Sequence, residues 1–176
     1  MGLSACDGRA DGVSAPRISF VTMGCAKNEV DSAAMARALA EAGYQVDAPA
    51  DKADVIIVNT CSFIQSATEE SIEAVLDALE GREGGRRVIV CGCMPARYGD
   101  DLAGSLPEAD GCVPCSREAD IVQVVSSVTG WMPHPDGTHV EVPGASFAYL
   151  KISDGCDRWC SFCTIPQIRG RYHSFA

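Results

Sequence analysis

Val55-Ile56-Ile57-Val58-Asn59-Thr60-Cys61 is the stretch that decides the fold, because four β-branched residues run together without a polar position and then stop at Asn-Thr-Cys. A strand with one wet face alternates, whereas a run this apolar has to be covered on both faces, as in a parallel sheet between helices. Two other stretches repeat the pattern. Residues 17–23 carry Ile18, Phe20, Val21 and Met23 and run into Gly24-Cys25, and Val88-Ile89-Val90 ends at Cys91-Gly92-Cys93. Tyr44-Gln45-Val46 and Gly111-Cys112-Val113 read as shorter strands.

Helical patterns fill the intervals. Asn28 with Asp31 suggests a cap and a first-turn acid, Met35, Ala38, Leu39 and Ala42 mark one face, and Gly43 stands where a C-terminal glycine belongs. Ser66 with Glu69 fits a capping box before Ile72, Val75, Leu76 and Leu79. A helix is expected within 96–106, stopped by Pro107, and another capped by Ser116 with Ile121, Val124, Val125 and Val128 on its face and Gly130 at its end. Strands alternating with amphipathic helices predict an α/β, doubly wound parallel-sheet domain over residues 17–130.

That fold makes the cysteines informative. Cys25, Cys61 and Cys93 each follow the end of a predicted strand, and in an open parallel sheet those ends share the edge where ligands bind. Thiols 36 and 32 residues apart in sequence can therefore meet. The alternative is three separate core cysteines, since free Cys is often a small hydrophobe. Cys91 beside Cys93 offers a second candidate, and Cys112-Val113-Pro114-Cys115 is a CxxC that could be redox-active, bind metal or simply end a strand.

A second thiol group lies at Gly155-Cys156-Asp157-Arg158-Trp159-Cys160-Ser161-Phe162-Cys163, with CxxxCxxC spacing. Three thiolates on a 4Fe-4S cube leave one iron open, and a catalytic zinc also keeps an open position, so the count alone admits either. Residues 131–144, with Pro133, Pro135, Gly137 and Pro143, read as a linker, and His134 and His139 in or near it receive no role. Residues 147–152 alternate and are expected to form the first strand of a second domain, 145–176, begun and not finished.

Composition narrows the class. Residues 1–16 lack an apolar core for an export signal and read as a disordered leader, and no apolar run reaches membrane-spanning length. A cytoplasmic protein with no membrane partner is expected. Ten cysteines in a reducing compartment then suggest metal rather than disulfides. The net charge of −10 argues against direct nucleic-acid binding by this segment and makes a basic protein an easier partner.

The motifs together resemble the methylthiotransferases, radical S-adenosylmethionine (radical SAM) enzymes with an added N-terminal cluster domain. Met23-Gly24-Cys25-Ala26-Lys27-Asn28-Glu29-Val30-Asp31-Ser32, Val58-Asn59-Thr60-Cys61-Ser62-Phe63-Ile64 and Gly92-Cys93 are similar to its three N-terminal cysteine motifs. Ala148-Tyr149-Leu150-Lys151-Ile152 through Arg169-Gly170 is similar to the start of its radical SAM domain. Gly-Cys-Ala-Lys-Asn at 24–28 and Ser-Phe-Ile-Gln-Ser-Ala at 62–67 resemble the branch that modifies a ribosomal protein rather than the branch that modifies tRNA.

The resemblance implies two 4Fe-4S clusters, on Cys25, Cys61 and Cys93 and on Cys156, Cys160 and Cys163, with S-adenosylmethionine bound at the second. Phe162 matches a position near the adenine of that cofactor, or else plugs the cluster loop. The implied activity is methylthiolation of the β-carbon of an aspartate in the twelfth small-subunit ribosomal protein, with an external electron donor; a tRNA adenosine methylthiotransferase and a non-catalytic iron-sulfur or zinc module are the alternatives. The implied architecture ends in the first strand and cluster loop of a truncated radical SAM barrel, and this chain is expected to be inactive alone. Cys93 rather than Cys91 is the expected third ligand, being aligned with the motif and farther out along the strand.

Overall fold

The computed structural model describes residues 14–82, 84–134 and 149–175. The expected leader and linker lie largely outside them, as do His139 and the start of the 147–152 strand. Four parallel strands form one sheet in the order β1 (Ile18–Thr22), β2 (Val55–Thr60), β3 (Arg87–Gly92), β4 (Gly111–Pro114). Gln45 adds a parallel bridge to Arg17 on the free side of β1, which is all that Tyr44-Gln45-Val46 contributes to the sheet. The chain thus leaves β1 in one direction to reach Gln45, then crosses back to β2. This is the doubly wound arrangement predicted from sequence.

Alternate strand residues explain the two layers. Ile18, Val55, Ile57, Ile89, Cys91 and Val113 are buried on one face under Met35 and Leu39 of α1 (Ala26–Glu41) and Ile121 and Val125 of α5 (Ile121–Thr129). Ile56, Val58, Val88 and Val90 are buried on the other under Val75 and Ala78 of α2 (Gln65–Glu80). Met94 and Leu102 join them from α3 (Cys93–Tyr98) and α4 (Asp100–Ser105). Each large aliphatic side chain among them contributes about 1.5–3 kcal/mol of burial, which is why residues 55–58 and 88–90 include no polar residue.

Several local expectations are corrected. Neither Asn28 nor Ser66 caps a helix: Cys25 and Ile64 occupy the N-cap positions without side-chain bonds. Asn28 is drawn instead to strand-end carbonyls, and α2 is rotated so that Val75 and Leu79 of the expected face still meet the core while Ile72 and Leu76 do not. Thr68, Ser71, Val75 and Ala78 are buried, while Ile72 and Leu76 are exposed. The cause is Ser71, whose hydroxyl accepts from the Cys61 N–H and donates to the Cys61 carbonyl, both at 2.9 Å. The expected single helix in 96–106 is two, α3 and α4, broken at Gly99 with φ 51°. Ser116 yields to a short 3-10 turn, Glu118–Asp120, leading into α5. The start of the expected linker belongs to the domain, since Trp131 packs on Tyr44 with ring centroids 4.6 Å apart and the His134 N–H bonds the Ala42 carbonyl at 3.0 Å.

The C-terminal segment departs most from expectation. Tyr149 to Ile152 is not strand; β5 (Ser153–Asp154) pairs antiparallel with β6 (His173–Ser174), and α6 (Ile165–Ile168) lies between them. A barrel strand is held by parallel neighbours on both sides, and among the described residues the segment has none.

Candidate metal centre

Connections from β1 and β2 leave to opposite faces of the sheet, α1 to one and α2 to the other, so a crevice opens between them at their carboxyl ends. Cys25 and Cys61 flank that crevice, one at the N-cap of α1 and one directly after β2. Cys93 begins α3 directly after β3. Sequence reasoning placed all three on this edge, and the structure brings them together there.

The glycines preceding Cys25 and Cys93 share one physical reason. Gly24 has φ 92°, and a Cβ on it would stand 2.5 Å from the Cys61 Cβ and 2.8 Å from the Cys61 Sγ. Gly92 has φ 94°, and a Cβ there would stand 2.3 Å from Asn59 Oδ1 and 2.5 Å from the Thr60 carbonyl oxygen. Any side chain would push the thiol-bearing loops apart.

Side chains from the strand ends tie those loops to one another. Asn28 donates to the Met23 and Thr60 carbonyls, both at 2.9 Å, and Asn59 donates to the Asn28 carbonyl and to Ser32 Oγ, both at 2.9 Å. The Thr60 hydroxyl donates to the Cys91 carbonyl at 2.6 Å and accepts from the Met94 N–H at 3.2 Å. With the Met23 N–H also bonding the Asn59 carbonyl at 2.8 Å, the backbone within three residues of each of the three cysteines is tied to a neighbouring strand end or loop.

Electrostatics separate the thiols. Burial pushes Cys61 up, with further upward pressure from the negative charge of Cys93 and Cys25, so the three groups act on one another. Cys93 is lowered to about 6, first by a hydrogen bond from the Cys115 thiol and then by Arg169, against the opposing effect of burial. The Cys93 Sγ lies 3.6 Å from Arg169 Nη2 and 3.7 Å from Asn28 Oδ1. Cys91 is fully buried in the core cluster of β1, β2 and α1, and that burial pushes its thiol well above the ordinary range. Of the adjacent pair, only Cys93 reaches the edge.

The segment that carries the second triplet docks on the same edge through Thr164, Ile168 and Arg169. Gly155, φ 71°, is pressed against the Arg171 carbonyl, where a Cβ would lie 2.1 Å away, and the Cys156 N–H bonds the Gly170 carbonyl at 3.1 Å. The Cys163 N–H bonds the Cys160 carbonyl at 3.1 Å. Cys160 is exposed, Cys156 and Cys163 are half-buried, and Phe162 is 86% exposed, so its ring does not plug the loop.

The segment is held to the domain by charges that sequence reasoning did not single out. Arg169, its side chain only 2% exposed, pairs with Asp31 at 2.7 Å and Asp154 at 3.2 Å and donates to Asn28 Oδ1 at 2.7 Å. Lys151 pairs with Asp31 at 2.7 Å and Asp154 at 3.0 Å, and Lys27 with Asp154 at 3.1 Å. Asp154 is buried, yet these cations and the Gly155 N–H hold its carboxyl well below the usual carboxylate range. Thr164 adds a bond to the Phe63 carbonyl at 3.3 Å, and Ile168 packs on Cys93 and Cys115. The segment is thus seated on the edge that carries the first triplet.

Among the described residues no three His, Cys, Asp or Glu side chains stand in position to hold a single metal ion. The donor set at each place is all thiol, and a soft, polynuclear iron-sulfur group is what such a set suits. Two features fit that group at the first triplet: glycines that keep the edge clear of Cβ atoms, and a guanidinium within reach of a thiolate.

Residues 17–126 match the family described as uncharacterized protein family UPF0004. Among curated relatives, the ribosomal protein uS12 methylthiotransferase RimO of Symbiobacterium thermophilum is 40% identical over 172 residues, covering 90% of this chain and 35% of that protein. The protein of the same name from Desulforudis audaxviator is 45% identical over 173 residues, covering 91% of this chain and 38% of its own length. That from Anaeromyxobacter sp. strain K is 40% identical over 171 residues, with 91% and 36% covered. The chain spans little more than a third of the length of these relatives.

Proposed function

The chain belongs to the UPF0004 family, and from that premise we propose that it forms the thiol-bearing N-terminal part of an enzyme that methylthiolates ribosomal protein uS12 at an aspartate β-carbon. The carrying observation is the shared edge: Arg169, six residues after Cys163, reaches 3.6 Å from the Cys93 sulfur, so the segment that carries one triplet docks on the edge that carries the other. Transfer between two sites requires them to be neighbours.

In this reading Cys25, Cys61 and Cys93 hold one 4Fe-4S cluster, and Cys156, Cys160 and Cys163 hold another beside S-adenosylmethionine. When bound, these groups supply the one-electron and sulfur chemistry that no side-chain acid or base can perform on an unactivated carbon. The chain's own residues do the rest. Asn28, Asn59 and Thr60 fix the first triplet, the Asp31, Asp154, Lys151 and Arg169 charges seat the second, and Phe162 offers an open ring face to the cofactor's adenine. An external donor would deliver electrons to the exposed loop. The acidic balance of the chain suits a basic ribosomal protein, and among the described residues no helix is long and apolar enough to cross a membrane.

Deleting the gene and weighing both candidate substrates tests the reading. Ribosomal protein uS12 should lose its methylthio adduct while tRNA keeps its own. Loss from tRNA with uS12 unchanged would refute it in favour of the RNA-modifying branch.

A further inference from the structure

Cys115 is a buried thiol for which the proposed reaction has no use. Its CxxC neighbour Cys112 is exposed, whereas Cys115 packs with Cys93 and Ile168. The register of β3 with β4 ends at Gly92 opposite Pro114, so Cys93, the first residue of α3, and Cys115 each follow directly on the last paired position. The Cys115 N–H bonds the Gly92 carbonyl at 3.0 Å, the last bond of that ladder, and so fixes the Cys115 backbone beside the residue that precedes Cys93. Neighbouring strands run about 4.8 Å apart, inside the window of about 4.4–6.8 Å between α-carbons that a disulfide requires. The two cysteines pack together in one buried cluster beneath Ile168.

We propose that Cys93 and Cys115 are an oxidation site, closing as a disulfide across the ends of β3 and β4 and withdrawing Cys93 from the sheet edge. The oxidant is a small-molecule disulfide. The Cys93 thiolate attacks one of its sulfurs and expels a small thiolate, forming a mixed disulfide. Deprotonated Cys115 then attacks the Cys93 sulfur and expels the second. The protein pair gives up two protons and two electrons, and the small disulfide takes them up as two thiols. Access is controlled by the docked segment, because Ile168 covers the pair, the Cys115 Sγ contacts the Ile168 carbonyl at 3.4 Å, and Arg169 bonds Cys93. The disulfide stands on this geometry alone; only its consequence for metal rests on the proposed function.

The test uses the full chain with Cys156, Cys160 and Cys163 changed to serine, freed of metal by a chelator. It is treated with oxidised glutathione, trapped with N-ethylmaleimide, digested and mapped by mass spectrometry. A Cys93–Cys115 linked peptide should dominate, survive Cys112→Ser, and form several-fold faster in Arg169→Met. In Cys115→Ser, Cys93 should stop at the glutathione adduct. Linkage of Cys93 to Cys25 or Cys61, linkage of Cys115 to Cys112, or both thiols left free for alkylation would overturn the proposal. The linked chain should also lose iron and sulfide uptake until dithiothreitol restores it. A linked chain that still takes up iron would remove Cys93 from the ligand set, which is a failure of the functional reading and not of the disulfide.

Discussion

Arg169→Met should free the segment 149–175 from the sheet domain without unfolding that domain. The guanidinium is buried with two carboxylates and an amide oxygen around it, and removing one member of a buried charge group costs about 3–5 kcal/mol because the others stay behind unpaired. Lys151 remains within 2.7 Å of Asp31 and 3.0 Å of Asp154, so the lower end, about 3 kcal/mol, applies. At about 1.4 kcal/mol per factor of ten, the docking equilibrium falls about 100-fold. Hydrogen exchange read by peptide should show protection in 149–175 dropping by about that factor, with β2 unchanged, because the core clusters under β2 do not include Arg169. Unchanged exchange in 149–175 would show that the charges do not hold the joint, and an equal rise in β2 would show that the joint is not a separate unit.

Cys91→Ala should keep the iron of the first triplet and lower stability by about 1 kcal/mol as a small core truncation, whereas Cys93→Ala should lose that iron; iron analysis after anaerobic reconstitution checks both, and equal loss would contradict the burial argument. Ser71→Ala strands the Cys61 N–H and should cost about 1–3 kcal/mol in urea denaturation. Glu118, pushed up to about 8 by burial and by Asp31, is protonated more readily when folded than when unfolded. Its contribution is therefore full below the ordinary carboxylate range and fades as pH rises through about 8. Glu118→Gln should flatten the fall in urea midpoint between those limits, and an unchanged slope would assign the pH dependence to other groups.

The sheet was legible because its evidence is local and redundant: Val55 to Val58 can only be a strand covered twice, and Cys25, Cys61 and Cys93 follow from where three strands stop. The face of α2 was not, because Ile72 and Leu76 carry the hydrophobic pattern while the inward face is chosen by the hydroxyl of Ser71 bonding a residue ten positions away. Arg169 was visible only as part of a motif. An arginine in a Gly-containing loop reads as solvated, and its burial depends on Asp31, 138 residues earlier, and on Asp154. Cys115 was legible as a strand end, but its neighbour proved to be Cys93 at the start of α3, just past the adjacent strand, rather than Cys112 along the chain.

The lattice of Asn28, Asn59 and Thr60 has a consequence for how tightly anything can be bound at the edge. A ligand set drawn from three separate loops ordinarily loses conformational freedom at the moment of binding, and that loss weakens affinity by about 0.5–1.5 kcal/mol for each immobilised side chain. Here the backbone beside every thiol is already tied across to another loop, so much of that ordering is completed when the sheet folds. The expense appears inside the lattice itself, where Asn59 Oδ1 is buried without a hydrogen-bond partner. The fold tolerates that unsatisfied oxygen, and the binding event starts from an arranged set of donors.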